Sequence, residues 1–289
     1  MQRVLLVLAL SLGFVCAVSA EPLSPIFYNP DGSILPAEEA DVRRAKTPAV
    51  ATEVTDEPWI DSIVRHDGAD FFALGPRDVG PWQQVVGKFR TSCTGTLIGP
   101  RHVLTAAHCV VQSTADYVRM SNFYGGHQLD FAPGQMAGER PHDVHAWTLA
   151  VVPEAWTDPW PKRYDVAVVV LEEPIGEELG FLPVASVGEL KGVPVALSGY
   201  PREPMDKVLD VPWFSACSVS RVEDGLIHYP CAGTEGMSGS AVIDYTRDGG
   251  AVVIGVHAYA PSEGETPPLH KAVLFDQAVL DFVRFALSL

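Results

Sequence analysis

Val103-Leu104-Thr105-Ala106-Ala107-His108-Cys109 decides how this sequence is read. A short apolar run containing β-branched residues is a buried strand, and the turn leaving this one carries a histidine at once. Packing then holds the ring while one face meets solvent, which a general base requires. Alone, such a histidine is more often structural, so the reading needs partners. Tyr164-Asp165-Val166-Ala167-Val168-Val169-Val170-Leu171 sets an acid at the mouth of a run that is apolar on both faces. A carboxylate there is costly unless it is hydrogen-bonded, and an imidazole N–H would satisfy it. Gly236-Met237-Ser238-Gly239-Ser240 is a glycine-flanked serine, whose glycines let successive N–H groups converge on an oxyanion. Base, orienting acid and nucleophile thus follow in the order His108, Asp165, Ser238.

The texture around them is strand-like. Residues 82–86, 93–98, 103–105, 166–171, 193–197 and 251–256 are short, β-branched and bounded by Gly or Pro. Such runs without helices between them predict an all-β sandwich or barrel. Phe275, Ala278, Val279, Phe282, Val283 and Ala286 share one helical face behind Asp276, which is placed to cap a closing helix. Lys+Arg 20 against Asp+Glu 36 leaves a formal charge of −16, which argues against nucleic acid or an anionic membrane as partner. No phosphate loop or dinucleotide fingerprint occurs, and no cofactor is expected. Pro141-His142-Asp143-Val144-His145 could be drawn as a metal pair, but i and i+3 face opposite sides of a strand. A solvated loop and no metal are expected there.

Residues 1–20 read as a secretory signal: Arg3, an apolar stretch over 4–18, and the small-residue site Val18-Ser19-Ala20. Its removal takes Cys16 and leaves four cysteines of the chain's five, an even number in an oxidising compartment. Residues 21–58 are rich in Pro and acid and lack periodicity, so a flexible pro-segment is expected, with Arg43-Arg44 as a processing site or a solvated basic spot. The folded body is expected from about residue 59 to 289.

The motif set resembles the trypsin/chymotrypsin-fold serine peptidases, most closely their secreted glutamyl-endopeptidase branch. The resemblance rests on Pro81-Trp82-Gln83-Gln84-Val85, Cys93-Thr94-Gly95-Thr96-Leu97-Ile98, the histidine, aspartate and serine motifs, Ser198-Gly199-Tyr200-Pro201 and Ile254-Gly255-Val256-His257. It implies two six-stranded antiparallel Greek-key β-barrels, over about 66–175 and 176–273, with a C-terminal helix over 274–289. It further implies a secreted monomeric zymogen-derived endopeptidase acting on proteins or peptides. The catalytic residues would be His108, Asp165 and Ser238, with the Gly236 and Ser238 N–H groups as oxyanion hole. Gly233, Thr234, His257 and Tyr259 would bind substrate, His257 as partner of an acidic side chain. The four cysteines allow three pairings. The resemblance implies Cys93–Cys109, leaving Cys217 and Cys231 to each other.

The sequence also departs from the family. Met237 stands where trypsin-like enzymes carry the aspartate that pairs with a new N-terminus, and no Ile-Val-Gly-Gly start exists. Glu235 adds a negative charge beside the serine, and Gly233 replaces the family's Thr or Ser. These departures keep a second reading, a catalytically inactive homologue that binds. An α/β-hydrolase would need the order Ser, Asp, His and helices between the strands.

Overall fold

The computed structural model describes residues 22–39, 71–73, 83–112, 122–157, 161–202, 210–247 and 250–289. The expected signal segment and Arg43-Arg44 lie outside the described residues.

Alternation of short apolar runs with tight turns produces two antiparallel sheets of eight strands each. The first runs Ile34–Leu35, Pro25–Tyr28, Trp147–Pro153, Ala167–Leu171, His102–Thr105, Thr94–Leu97, Val86–Phe89, Phe131–Pro133. The second runs Arg221–Glu223, Leu226–Tyr229, His270–Leu274, Val252–Tyr259, Ala241–Asp244, Pro194–Gly199, Trp213–Ser218, Phe71–Ala73. The all-β class and the closing helix are as expected, but each sheet holds two strands more than six. In the second sheet the additions are the short edge pieces Arg221–Glu223 and Phe71–Ala73. The latter pairs with Trp213–Ser218, although the expected division gave it to the first barrel.

In the first sheet the additions are the N-terminal pair. Residues 22–39 were expected as flexible, yet Pro25–Tyr28 pairs with Trp147–Pro153 and folds back onto Ile34–Leu35. Phe27, Tyr28 and Leu35 are the reason: three buried apolar side chains suffice to fasten a short hairpin to an existing sheet edge. Periodicity did not reveal them because the hairpin is too short to show any. Trp147–Pro153 was likewise not anticipated, since its Pro153 end and Trp147 start break the simple strand texture. The run expected over 82–86 starts instead as a 3₁₀ turn, Gln83–Val85, before the strand Val86–Phe89.

Register is what positions the chemistry. All five residues of Ala167–Leu171 are buried, because the strand lies between Trp147–Pro153 and His102–Thr105. Ala167 pairs with Thr105, so the segment before one strand and the segment after the other leave the sheet at the same end. Asp165 and His108 are thereby delivered side by side.

The helix Gln277–Ala286 begins where expected. Asp276 Oδ1 accepts the Val279 N–H at 3.0 Å, and its other oxygen meets Arg163 at 2.7 Å. The buried face of Val279, Leu280, Phe282, Val283 and Ala286 joins the main core, and Phe285 packs on Phe27 with ring centroids 6.1 Å apart. Helix and N-terminal hairpin thus brace each other. Phe27→Ala should cost about 3 kcal/mol, the low end for a buried Phe truncation, read as a lower urea midpoint at unchanged slope.

Candidate active site

His108 sits on the one-turn helix Ala107–Cys109 that ends its strand. Its backbone N–H donates to Asp165 Oδ1 at 2.9 Å, and its Nδ1 lies 2.7 Å from Asp165 Oδ2. Asp165 is 0% exposed, so the carboxylate exchanges water for these contacts. Burial lowers the pKa of His108, but the charge and hydrogen bond of Asp165 together outweigh it, and the net shift is upward. The ring is oriented with Nδ1 on the acid, leaving Nε2 for other work.

The serine loop belongs to the second sheet. Gly236 has φ +97 and Gly239 φ +91, and a Cβ at Gly239 would lie 2.1 Å from the Thr94 carbonyl oxygen. No other residue fits these positions. Within the loop the N–H groups of Met237, Gly239 and Ser240 are spent on Thr234, His257 and Met237 carbonyls. Those of Gly236 and Ser238 have no carbonyl partner among the described residues. Met237 is fully buried, so the position that departs from the trypsin pattern carries packing, not charge.

Thr94 joins this loop to the first sheet, and the sequence did not single it out. Its N–H donates to the Ser238 carbonyl at 2.9 Å, and its Oγ1 donates to the Gly236 carbonyl at 3.0 Å while accepting the Tyr200 N–H at 2.9 Å. Thr105 Oγ1 in turn donates to the Thr94 carbonyl at 2.9 Å. The disulfide Cys93–Cys109 adds a covalent tie between the neighbours of Thr94 and His108, and Cys109 Sγ lies 3.8 Å from the Ser238 carbonyl oxygen. Cys217–Cys231 forms the second bridge. The loop closed by Cys93–Cys109 stabilises by about 3 kcal/mol in the chain-entropy picture. Cys93, His108 and Cys109 form the one cluster among the described residues dense enough to suggest a metal, but both sulfurs are in the disulfide and offer no thiolate.

Two histidines, His257 and His270, pack against Gly233, three residues before the loop glycine Gly236. His257 is buried, and its Nδ1 is 2.7 Å from the Tyr229 hydroxyl. Burial first, and then the neighbours His270 and His108, push its pKa down to about 3, so the ring is neutral. His270, whose pKa is lowered by burial and Lys271, lies 5.5 Å from His257 between ring centroids. A Cβ at Gly233 would stand 3.3 Å from His257 Nε2 and 3.4 Å from His270 Nδ1, so both imidazoles pack closely against this glycine and leave little room for a side chain. Thr234 is exposed, its hydroxyl turned to the Glu235 carbonyl at 3.4 Å. The added charge of Glu235 is met by an ion pair with Arg202. Tyr259 lies against His108, ring centroids 6.4 Å apart. His145, drawn in sequence as half of a metal pair, has Glu173 on one nitrogen at 3.0 Å and the His142 carbonyl on the other at 2.7 Å.

Fold and site together define a class: residues 93–256 match the trypsin-like peptidase domain, and the chain belongs to that family. A glutamyl endopeptidase of Bacillus licheniformis is 30% identical over 154 residues, covering 53% of this chain and 45% of that protein. The chain therefore spans less than half the length of that relative. A solved Glu endopeptidase structure, in complex with MPD, superimposes at TM-score 0.64 and 25% identity over 76% of this chain and 97% of that one. Protease Anisep from Arthrobacter nicotinovorans shares the fold at TM-score 0.58 and 17% identity, over 73% of this chain and 98% of that one.

The Thr94 hydroxyl is buried and both accepts and donates. Thr94→Val keeps its shape but strands the Tyr200 N–H and the Gly236 carbonyl, and should cost about 2 kcal/mol in urea unfolding.

Proposed function

We propose that this chain is a secreted serine endopeptidase that cleaves protein or peptide substrates after acidic residues. The observation that carries the reading is the doubly hydrogen-bonded His108–Asp165 pair, with the Ser238 loop tied beside it through Thr94.

Ser238 Oγ attacks the scissile carbonyl carbon while His108 Nε2 takes its proton. Asp165 holds the tautomer and stabilises the imidazolium. The oxyanion is received by the N–H groups of Gly236 and Ser238, which have no carbonyl partner among the described residues, each such donor being worth roughly 10²–10³ in rate. His108 then protonates the leaving amine, and an acyl-enzyme forms. Water, deprotonated by the same histidine, attacks the acyl carbon and returns Ser238. The complete set of groups does not favour the binding-only reading.

Acidic preference is supported by the two imidazoles, of His257 and His270, that pack at Gly233. Burial raises the Tyr229 pKa, so its hydroxyl keeps its proton and can donate to His257 Nδ1, which leaves the imidazole proton on Nε2, facing Gly233. A substrate carboxylate brought to this edge would meet a neutral donor, with His270 beside it. Secretion is supported by the sequence of residues 1–20. Among the described residues no helix is long and apolar enough to cross a membrane.

A fluorophosphonate should label the wild type and leave Ser238→Ala unlabelled, as read by mass. Because His108 must be neutral to act and its pKa is raised, kcat/KM should climb with pH along a limb centred above about 6.5. Equal labelling of both proteins would remove Ser238 from the mechanism. In a peptide library read by mass spectrometry, cuts should follow Glu or Asp, and that preference should persist from pH 5 to 8, a range whose lower end is about two units above where His257 protonates. Cuts after Arg or Leu would end the acidic reading while leaving the chemistry intact.

A further inference from the structure

Asp165 is fully buried, yet among the described residues the closed hydrogen bonds to its carboxylate come from a single residue, His108. An ionised carboxylate accepts up to about four, and an under-satisfied one is costly away from water. Tyr259 lies on the other side of this pair. Its strand pairs His257 with Ala272 and then Tyr259 with Lys271, so Ala258 is an extra residue bulged out of the ladder. Bulges re-aim the side chains that follow them, and this one turns the Tyr259 ring onto His108, with Lys162 Nζ 5.1 Å from the centre of the ring. The hydroxyl that results is buried and has no formed hydrogen bond. The group it faces is Asp165, within reach but short of a closed bond: after burial, the charge of that carboxylate and then a side-chain hydrogen bond toward it lift the tyrosine pKa far above the ordinary value. The hydroxyl therefore stays protonated and can only be useful as a donor. A donor without an acceptor thus confronts an acceptor short of donors.

We propose that Tyr259 is a positioning residue rather than a wall of the substrate cleft: its hydroxyl is the third donor to Asp165, completing the carboxylate's shell behind His108. The inference rests on the peptidase reading only for its effect on rate. A third donor spreads the aspartate charge, which tempers the basicity of His108, and fixes the carboxylate plane along which Nδ1 is aligned. The charged and titratable groups around the pair are Asp165 itself, the neutral His257, and Lys162 on the far face of the tyrosine ring. None of them is altered when the hydroxyl alone is removed.

Tyr259→Phe keeps the ring on His108 and deletes the donor. The titration of His108, followed by proton NMR of the folded, substrate-free protein, should move to higher pH by about half a unit to one unit. The kcat for a peptide substrate should fall about tenfold, the size of one hydrogen bond to a charged group, with KM little changed. A His108 midpoint that stays put overturns the proposal, as does a loss confined to KM, which would make the ring a cleft wall after all. The NMR titration needs no turnover. If the wild type takes no fluorophosphonate, the peptidase reading fails while the His108 midpoint still decides the role of Tyr259.

Discussion

Everything in this molecule depends on Thr94. The base and its acid belong to the first sheet, and the serine loop to the second, so their alignment requires a rigid joint between the sheets. One buried threonine makes it with its N–H, its hydroxyl and its carbonyl, reaching the loop at Ser238 and Gly236 and its own sheet at Thr105. The positive-φ glycines of the loop are the other half of the joint, because a Cβ at Gly239 would collide with the Thr94 carbonyl. Hydrogen bonds of this kind are worth about 1 kcal/mol each when formed and more when one partner is left stranded. Their geometry matters more than their sum. The Cys93–Cys109 bridge reinforces the same joint from the covalent side, one residue from Thr94 and one from His108.

Electrostatically the site is an exception to the chain around it. A protein of formal charge −16 repels anions at long range, which sits awkwardly with the proposed preference for acidic residues. Distance settles the conflict. Screening at physiological salt acts over about 8 Å, so beside Gly233 the nearest groups dominate. Those groups are two neutral imidazoles and a Glu235 already paired with Arg202. A neutral His257 offers a hydrogen bond without the cost of burying a cation, and with its pKa pushed down to about 3 it stays neutral near neutral pH.

Legibility from sequence followed interaction range. The strand leading to His108, the buried run behind Asp165, the serine loop glycines and the capped helix at Asp276 are all written in consecutive residues, and all four were read. The N-terminal hairpin was not. Three apolar residues in a Pro-rich, acidic stretch carry no period, and their burial exists because an unrelated strand, Trp147–Pro153, presents an edge to them. His270 and Tyr229 were missed for the same reason. Each is unremarkable in its own strand and gains meaning from pairing across the second sheet, beside His257.

The sequence by itself determined which chemistry is available: an order of His, Asp and Ser, each in a local setting of strand end, strand mouth and glycine turn that a single backbone segment encodes. Tertiary structure alone decided what those groups touch. Register aligned Asp165 with His108, Thr94 held the serine loop to them, the bare backbone of Gly233 let two histidines pack against it, and a one-residue bulge turned Tyr259 onto His108. The reason is physical. Local conformation follows from neighbours in the chain, whereas hydrogen-bond partners, burial and the pKa shifts they cause depend on residues brought close only by folding.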